Sequence, residues 1–242
     1  MSLFKREKPQ ETPPFVSVVI VAAGNATRMG GVDKQFLSIG DAPVLLHTVR
    51  AFAMLPDVRE IIIATKEESI PKVFSLLKEY AVPKIKDIVR GGTTRAESVA
   101  AAVSRISQDT QYIAIHDGAR PLVTSTCIEE TLQAAYAHGA AATGVRVKDT
   151  IKVVGEDGRI LSTPDRSTLW AVQTPQVFAT SLYVDALKNV PNSAQFTDDC
   201  KLMEEAGVPV YMVEGSYENI KITTPEDIVV ANAILEGRTE HD

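Results

Sequence analysis

Cysteine is nearly absent. The chain of 242 residues has two, Cys127 and Cys200, without a metal-binding spacing and too few for a disulfide framework. A reducing cytoplasm is the expectation. No apolar stretch approaches the ~20 residues that span a bilayer, so no membrane partner is expected. The first 14 residues are polar, contain proline and lack an apolar h-region. They are expected to be a flexible extension ahead of one domain over 15–242. Positive charge is in deficit: the net charge of −6 argues against a nucleic-acid partner. There is no G-x-x-x-x-G-K-[ST], and Gly24, Gly30 and Gly31 do not make G-x-G-x-x-G. The second absence weighs against a dinucleotide-dependent oxidoreductase. Repeats, low-complexity segments and a Ser-His or Cys-His nucleophile arrangement are missing too.

What is present is a chain 45% hydrophobic and 23% charged, suited to one large α/β domain or two small ones. Val16–Val21 is apolar and β-branched and reads as a strand buried on both faces. It runs into Ala22-Ala23-Gly24, small enough for a backbone to approach a ligand, and then into two cations, Arg28 and Lys34. Strands are predicted over 60–65, 85–89 and 112–116. Helices are predicted over 43–55, 69–80, 94–106 and 126–138, the last ended by Gly139. This β-α alternation predicts a mostly parallel twisted sheet with ligands beyond the carboxyl ends of its strands. Thr94 and Glu97 make a capping box after Arg90-Gly91-Gly92-Thr93. His116-Asp117-Gly118-Ala119-Arg120-Pro121 follows another strand, and His116 reads as a satisfied, partly buried histidine.

Past Ala140 the pattern changes. A strand over 141–147 is followed by two alternating runs, 151–154 and 159–163, around Gly155-Glu156-Asp157-Gly158, a hairpin signal. Such a hairpin has no crossover helix to cover it and must bury itself elsewhere. Thr174-Pro175 reads as a turn, Asp198-Asp199 as charges at a helix start, Asn219–Ile222 as a short strand and Pro225 as the first residue of a final helix.

Ala22-Ala23-Gly24-Asn25-Ala26-Thr27-Arg28-Met29 with Lys34-Gln35-Phe36-Leu37 resembles the nucleotide-binding signature of the sugar-phosphate nucleotidyltransferases, and within them the methylerythritol-phosphate cytidylyltransferase family. Two residues depart from it: Val21 where the family often has Pro, and Ala26 where it often has Gly. With the Gly92–Ser98, His116–Pro121, Thr174-Pro175-Gln176, Thr197-Asp198-Asp199 and Asn219–Thr223 segments, the resemblance covers the chain from Val16 to its end.

The resemblance implies a Rossmann-like nucleotidyltransferase fold with an inserted hairpin, about 148–165, that serves as a dimerisation arm. It implies transfer of CMP from CTP to a polyol phosphate, with Mg²⁺ as cofactor and its protein ligands left open. Arg28 and Lys34 would stabilise the transferring phosphate, while Arg166 and Lys221 would position the attacking one. Ala22, Ala23, Gly24, Gly92, Thr93 and Ser98 would hold the nucleotide, with Arg95 in support. Asp117 and Gly118 would meet the ribose or the metal shell, and Arg120, Thr150, Thr174 and Thr197 the acceptor. A homodimer with shared active sites is implied, Arg166 reaching across. Ribitol-5-phosphate cytidylyltransferase shares almost every motif and stays open as a rival at this stage, as does a nucleotide-binding module without activity. The Gly118-Ala119 pair before Arg120 favours methylerythritol phosphate as the acceptor.

Overall fold

The computed structural model of the protein describes residues 14–24, 33–191 and 196–239. In chain order its elements are β1 (Val16–Val21), β2 (Ser38–Ile39), β3 (Ala42–Pro43), α1 (Val44–Ala53), β4 (Val58–Thr65), α2 (Ile70–Glu79), β5 (Ile85–Arg90), α3 (Arg95–Val103) and β6 (Tyr112–Asp117). Then come α4 (Ser125–His138), β7 (Ala140–Arg146), β8 (Val153–Val154), β9 (Ile160–Ser162), β10 (Trp170–Ala179), α5 (Thr180–Asn189), α6 (Asp199–Glu205), β11 (Tyr211–Glu214) and α7 (Pro225–Thr239).

Among the described residues, seven strands form one sheet in the order β11-β7-β10-β6-β1-β4-β5. Its centre explains the unbroken apolar run of β1. Val18 lies opposite Ile61 of β4 and Ala114 of β6, and Val19 opposite Ile62 and Ile115. Alternate residues enter different cores. Val18, Ile20, Ile61 and Ile63 pack with α1, α2 and α4, through Leu45, Phe52, Leu77 and Leu132. Val19, Ile62, Ile113 and Ile115 pack with α3, α5 and α6, through Val99, Ala102, Tyr183 and Met203. A strand covered on both faces has no polar side to show, and its alternation disappears from the sequence.

The expected mostly parallel sheet is therefore present, with one reversal. β10 runs antiparallel to both β6 and β7, Gln176 facing Ile115 on one side and Ala142 on the other. After β7 the chain makes a hairpin instead of a crossover helix, so it re-enters the sheet at the end it left and must run backwards. Thr174-Pro175, expected as a turn, is a cis peptide inside β10, where the pairing with β7 shifts register. The expected strand Asn219–Ile222 is irregular. The Ile222 N–H reaches the Ala119 carbonyl at 2.8 Å, and Asn219 donates its side-chain amide to the Thr174 carbonyl at 3.0 Å. These contacts pin the segment to a loop and to the backbone of β10 without building a ladder.

Local signals hold where they rest on hydrogen bonds within a few residues. Thr94 caps α3 in a full capping box with Glu97. Gly139 ends α4 with φ of 86°, a left-handed cap that favours glycine. Asp227 accepts the Thr223 and Thr224 N–H groups at the start of α7.

The inserted hairpin is shorter than expected, Val153–Val154 against Ile160–Ser162, and its turn closes through the Gly155 N–H on the Arg159 carbonyl at 2.9 Å. Ile151, Val153, Val154, Ile160 and Leu161 are all exposed along it. A two-stranded ribbon is marginal alone, and these side chains gain nothing from facing water.

Candidate active site

The carboxyl ends of β1, β4, β5 and β6 open onto a cavity of about 590 Å³. Ala23 and Gly24 line it after β1, Lys66 to Glu68 after β4, Arg90 to Arg95 after β5, and Asp117 and Ala119 after β6. Lys34, Gln35, Ser98 and Lys221 complete the wall. This is where ligands bind on open α/β sheets.

The double glycine after β5 is a packing requirement. A Cβ on Gly91 would collide with the Cβ of Ala23 and come within 2.8 Å of the Ser98 hydroxyl. A Cβ on Gly92 would collide with Glu97. The two cavity-lining loops thus touch backbone to side chain, and only glycine permits it. Ser98 accepts the Gly92 N–H at 3.1 Å and donates to the Thr94 carbonyl at 2.9 Å. Thr93 gives both its N–H and its hydroxyl to Glu97, at 2.7 and 2.5 Å. The loop's own polar groups hold it in place.

Asp117, at the end of β6, is the electrostatic centre. Lys221 Nζ lies 2.7 Å from its Oδ2, Arg95 Nε 3.2 Å from its Oδ1, and Arg120 Nε 3.8 Å from Oδ2. Burial alone would raise the Asp117 carboxyl; Arg95, Lys221 and Arg120 hold it well below the usual carboxylate range. Arg95 also gives Nη1 to Asp199 at 2.6 Å, so one guanidinium bridges two buried carboxylates. Burial works against its charge, yet Asp199 and Asp117 raise its pKa further.

Behind Asp117 a proton-ordered chain fixes the backbone. The Asp117 N–H donates to the Thr174 hydroxyl at 3.1 Å, and that hydroxyl lies 3.0 Å from His116 Nδ1. His116 Nε2 lies 3.1 Å from the Arg120 carbonyl. A carbonyl only accepts, so Nε2 carries the hydrogen, Nδ1 accepts, and Thr174 donates to it. Burial brings the His116 pKa down to about 4, so the ring stays neutral and satisfied. It is wholly buried, more deeply than its sequence context suggested.

Of the residues expected at the site, the cavity gathers Ala23, Gly24, Lys34, Gly92, Thr93, Ser98, Asp117 and Lys221. Ala22 is buried beneath it, its N–H on the Ala64 carbonyl. Gly118 lies under the floor, where a Cβ would come 3.2 Å from the Val21 carbonyl. Arg120 turns away from the cavity and donates to the Asn219 carbonyl at 2.7 Å. Thr174 lies behind Asp117. Thr150, Arg166 and Thr197 are exposed and do not line this chain's cavity, and Arg166 donates to the Lys148 carbonyl at 2.6 Å. Arg28 lies outside the described residues.

Sequence reasoning missed Asp199 and undervalued Arg95. One signal was available: of the pair Asp198-Asp199, only Asp198 caps α6, accepting the Lys201 N–H at 2.8 Å. The second carboxylate had no local work to do. Among the described residues, no group of three His, Cys, Asp or Glu is placed to hold a metal. Asp117 is the buried carboxylate of the cavity, already faced by three cations. That donor set fits a divalent ion held chiefly by substrate phosphates and water.

A family model for 2-C-methyl-D-erythritol 4-phosphate cytidylyltransferase matches residues 16–237. A protein of that name from Caldanaerobacter subterraneus subsp. tengcongensis is 49% identical over 223 residues, 91% of this chain and 98% of its own. One from Desulforamulus reducens is 44% identical over 227 residues, 92% of this chain and 97% of its own. The crystal structure of 4-diphosphocytidyl-2C-methyl-D-erythritol synthase from Anaerococcus prevotii superposes with a TM-score of 0.82 at 30% identity, covering 92% of this chain and 96% of that one.

Proposed function

The chain belongs to the 2-C-methyl-D-erythritol 4-phosphate cytidylyltransferase family, and from that premise we propose how its residues divide the reaction. It is a cytidylyltransferase of isoprenoid precursor synthesis: CMP passes from CTP to 2-C-methyl-D-erythritol 4-phosphate and pyrophosphate leaves. An acceptor phosphate oxygen forms the new bond to the α-phosphorus of CTP as the bond to the bridging oxygen of the β-phosphate breaks.

The acceptor phosphate is an anion near neutral pH, so no general base is needed, and the neutral, satisfied His116 is not one. The difficulty is bringing one anion to another. A unit charge at 4 Å is worth about 4 kcal/mol at an effective dielectric near 20. Lys34 and Arg28 supply such charge to the transferring phosphate. Lys221, half exposed at the cavity rim and 2.7 Å from Asp117, positions the acceptor phosphate. Its pairing with Asp117 is the observation that carries this reading, because it puts a half-exposed cation beside a buried anion at the carboxyl ends of the strands. Ala23, Gly24, Gly92, Thr93 and Ser98 form the nucleotide wall, over the buried Ala22 and Gly118. Arg120 and Thr174 act from behind Asp117. Mg²⁺ would be held chiefly by the triphosphate and water, and would supply charge neutralisation there.

Thr150, Arg166 and Thr197 fit a role toward a second subunit, since none lines its own chain's cavity. The apolar hairpin is the surface on which a homodimer forms, and Arg166 beside it serves the partner's acceptor phosphate. Buried free thiols at Cys127 and Cys200 suit a reducing cytoplasm. The test is pyrophosphate release from CTP and Mg²⁺ with methylerythritol phosphate or ribitol phosphate as acceptor. Turnover is expected with the first; faster turnover of the second at equal concentration overturns the acceptor assignment.

A further inference from the structure

We propose that Asp199 is a positioning residue for the transfer reaction: by holding one end of Arg95 it fixes the Asp117 carboxylate so that one oxygen remains for Lys221. This rests on the reading that Asp117 and Lys221 serve the acceptor phosphate.

Asp199 is buried at the start of α6 and does not line the cavity. Its placement is set by the core. Tyr183 of α5 donates its hydroxyl to Asp199 Oδ1 at 2.6 Å, and the Asp199 N–H donates to the Gln176 side-chain oxygen of β10 at 3.0 Å. Oδ2 is then left for Arg95 Nη1 at 2.6 Å. Arg95 spends that nitrogen on Asp199 and presents Nε to Asp117 Oδ1 at 3.2 Å.

The geometry of a guanidinium makes this division matter. Arg prefers to clasp one carboxylate with two parallel N–H groups. Without the Asp199 charge, Arg95 is free to take Asp117 in that way and to turn the carboxylate. Oδ2 would then leave the 2.7 Å contact with Lys221. Arg120 cannot hold it back: its Nε lies 3.8 Å away and is buried with no hydrogen-bond partner. Asp199 thereby governs the angle at which Asp117 holds the rim lysine, through Arg95 and without touching substrate.

Asp199→Asn keeps the shape and removes the charge. The expected result is a fall in kcat of roughly tenfold with the KM for CTP changed by less than about threefold. In an Arg95→Gln background the same change should cost less than about twofold, since residues acting as one unit are not additive. A purely structural Asp199 gives either full kcat in the folded variant or an equal loss in both backgrounds, and both results overturn the proposal. If Asp199→Asn does not fold, Tyr183→Phe decides: a kcat loss of about threefold that vanishes with Arg95→Gln supports the proposal, and wild-type kcat overturns it. Asp117→Asn separates the two levels. If it keeps full activity, the site reading and the proposal fall together. If it is impaired while Asp199→Asn is not, only the positioning role fails.

Discussion

Lys34 and Ile222, near opposite ends of the chain, meet at the site: the lysine Nζ donates to the Ile222 carbonyl at 2.7 Å. The next residue back is Lys221, whose ammonium pairs with Asp117. The cation after the first strand and the cation before the last helix are therefore neighbours, held by one piece of irregular backbone.

That adjacency gives Lys34→Ala a defined signature. Removing one preorganised donor to a developing charge lowers kcat by roughly 10²–10³. The Gly91–Ser98 loop is untouched, so calorimetric CTP binding should persist. A variant with near-normal kcat would make Lys34 a structural cation only.

Gly91→Ala should act through binding. The added methyl group meets Ala23 and Ser98, and overpacking of this kind costs about 1–3 kcal/mol. Because those groups line the cavity, in the proposed nucleotide wall, KM for CTP should rise roughly tenfold while kcat falls less. Steady-state kinetics with varied CTP read this directly, and an unchanged KM contradicts the close approach of the two loops.

The hairpin predicts both assembly and shared catalysis. Leu161→Asp, placing a charge among Val153, Val154 and Ile160, should shift the protein toward monomer in sedimentation and lower its activity. Mixing inactive Arg166→Ala chains with inactive Lys34→Ala chains should restore part of the activity, because a heterodimer has one site missing both residues and one intact. Demonstrated subunit exchange without recovery places Arg166 in its own chain's site.

A pH-dependent part of the stability lies at the far end of the sheet. Glu60 accepts from Ser17 Oγ at 2.7 Å, the Ser107 N–H at 2.7 Å and its hydroxyl at 2.6 Å, and pairs with Lys86 at 2.9 Å. Burial would raise its pKa, but the Ser107, Ser17 and Lys86 contacts bring it below the ordinary 4.5. A depressed carboxyl stabilises the fold above its unfolded pKa and stops doing so as pH falls through the folded value. Glu60→Gln should therefore cost about 1–3 kcal/mol at pH 7. The gap to wild type should narrow below about pH 4. Thermal unfolding at both pH values checks it; a constant gap means the ionised form is not the stabilising one.

The parts legible in the sequence were those decided locally. Val16–Val21 announces a buried strand, Thr94 and Glu97 announce a cap, and Gly139 announces a helix end, because each is settled within a few residues. Lys34, Asp117 and Lys221 were singled out through their motifs, though not as neighbours lining one cavity. What stayed hidden is non-local. The reversal of β10 follows from a missing crossover, the irregularity of 219–222 from contacts with Ala119 and Thr174, and the burial of Asp199 is answered by a salt bridge to Arg95 in another element. The resemblance gave Arg120 as an acceptor contact; its hydrogen bond to the Asn219 carbonyl, 99 residues away, was not legible in the sequence.

The hairpin leaves the sheet after Arg146 and rejoins it at Trp170, and these two residues are register partners, the guanidinium 4.7 Å above the indole ring. Everything between them is hung from a closed doorway. Lengthening such a loop costs only about 0.6 kcal/mol for each doubling, and nothing in the register of β7 or β10 needs to move. The tip of the arm, between Val154 and Ile160, is thus a place where insertions and deletions can accumulate while the cavity residues Lys34, Asp117 and Lys221 stay in step. That tip and the cavity belong to one chain, but they are free to evolve at different rates.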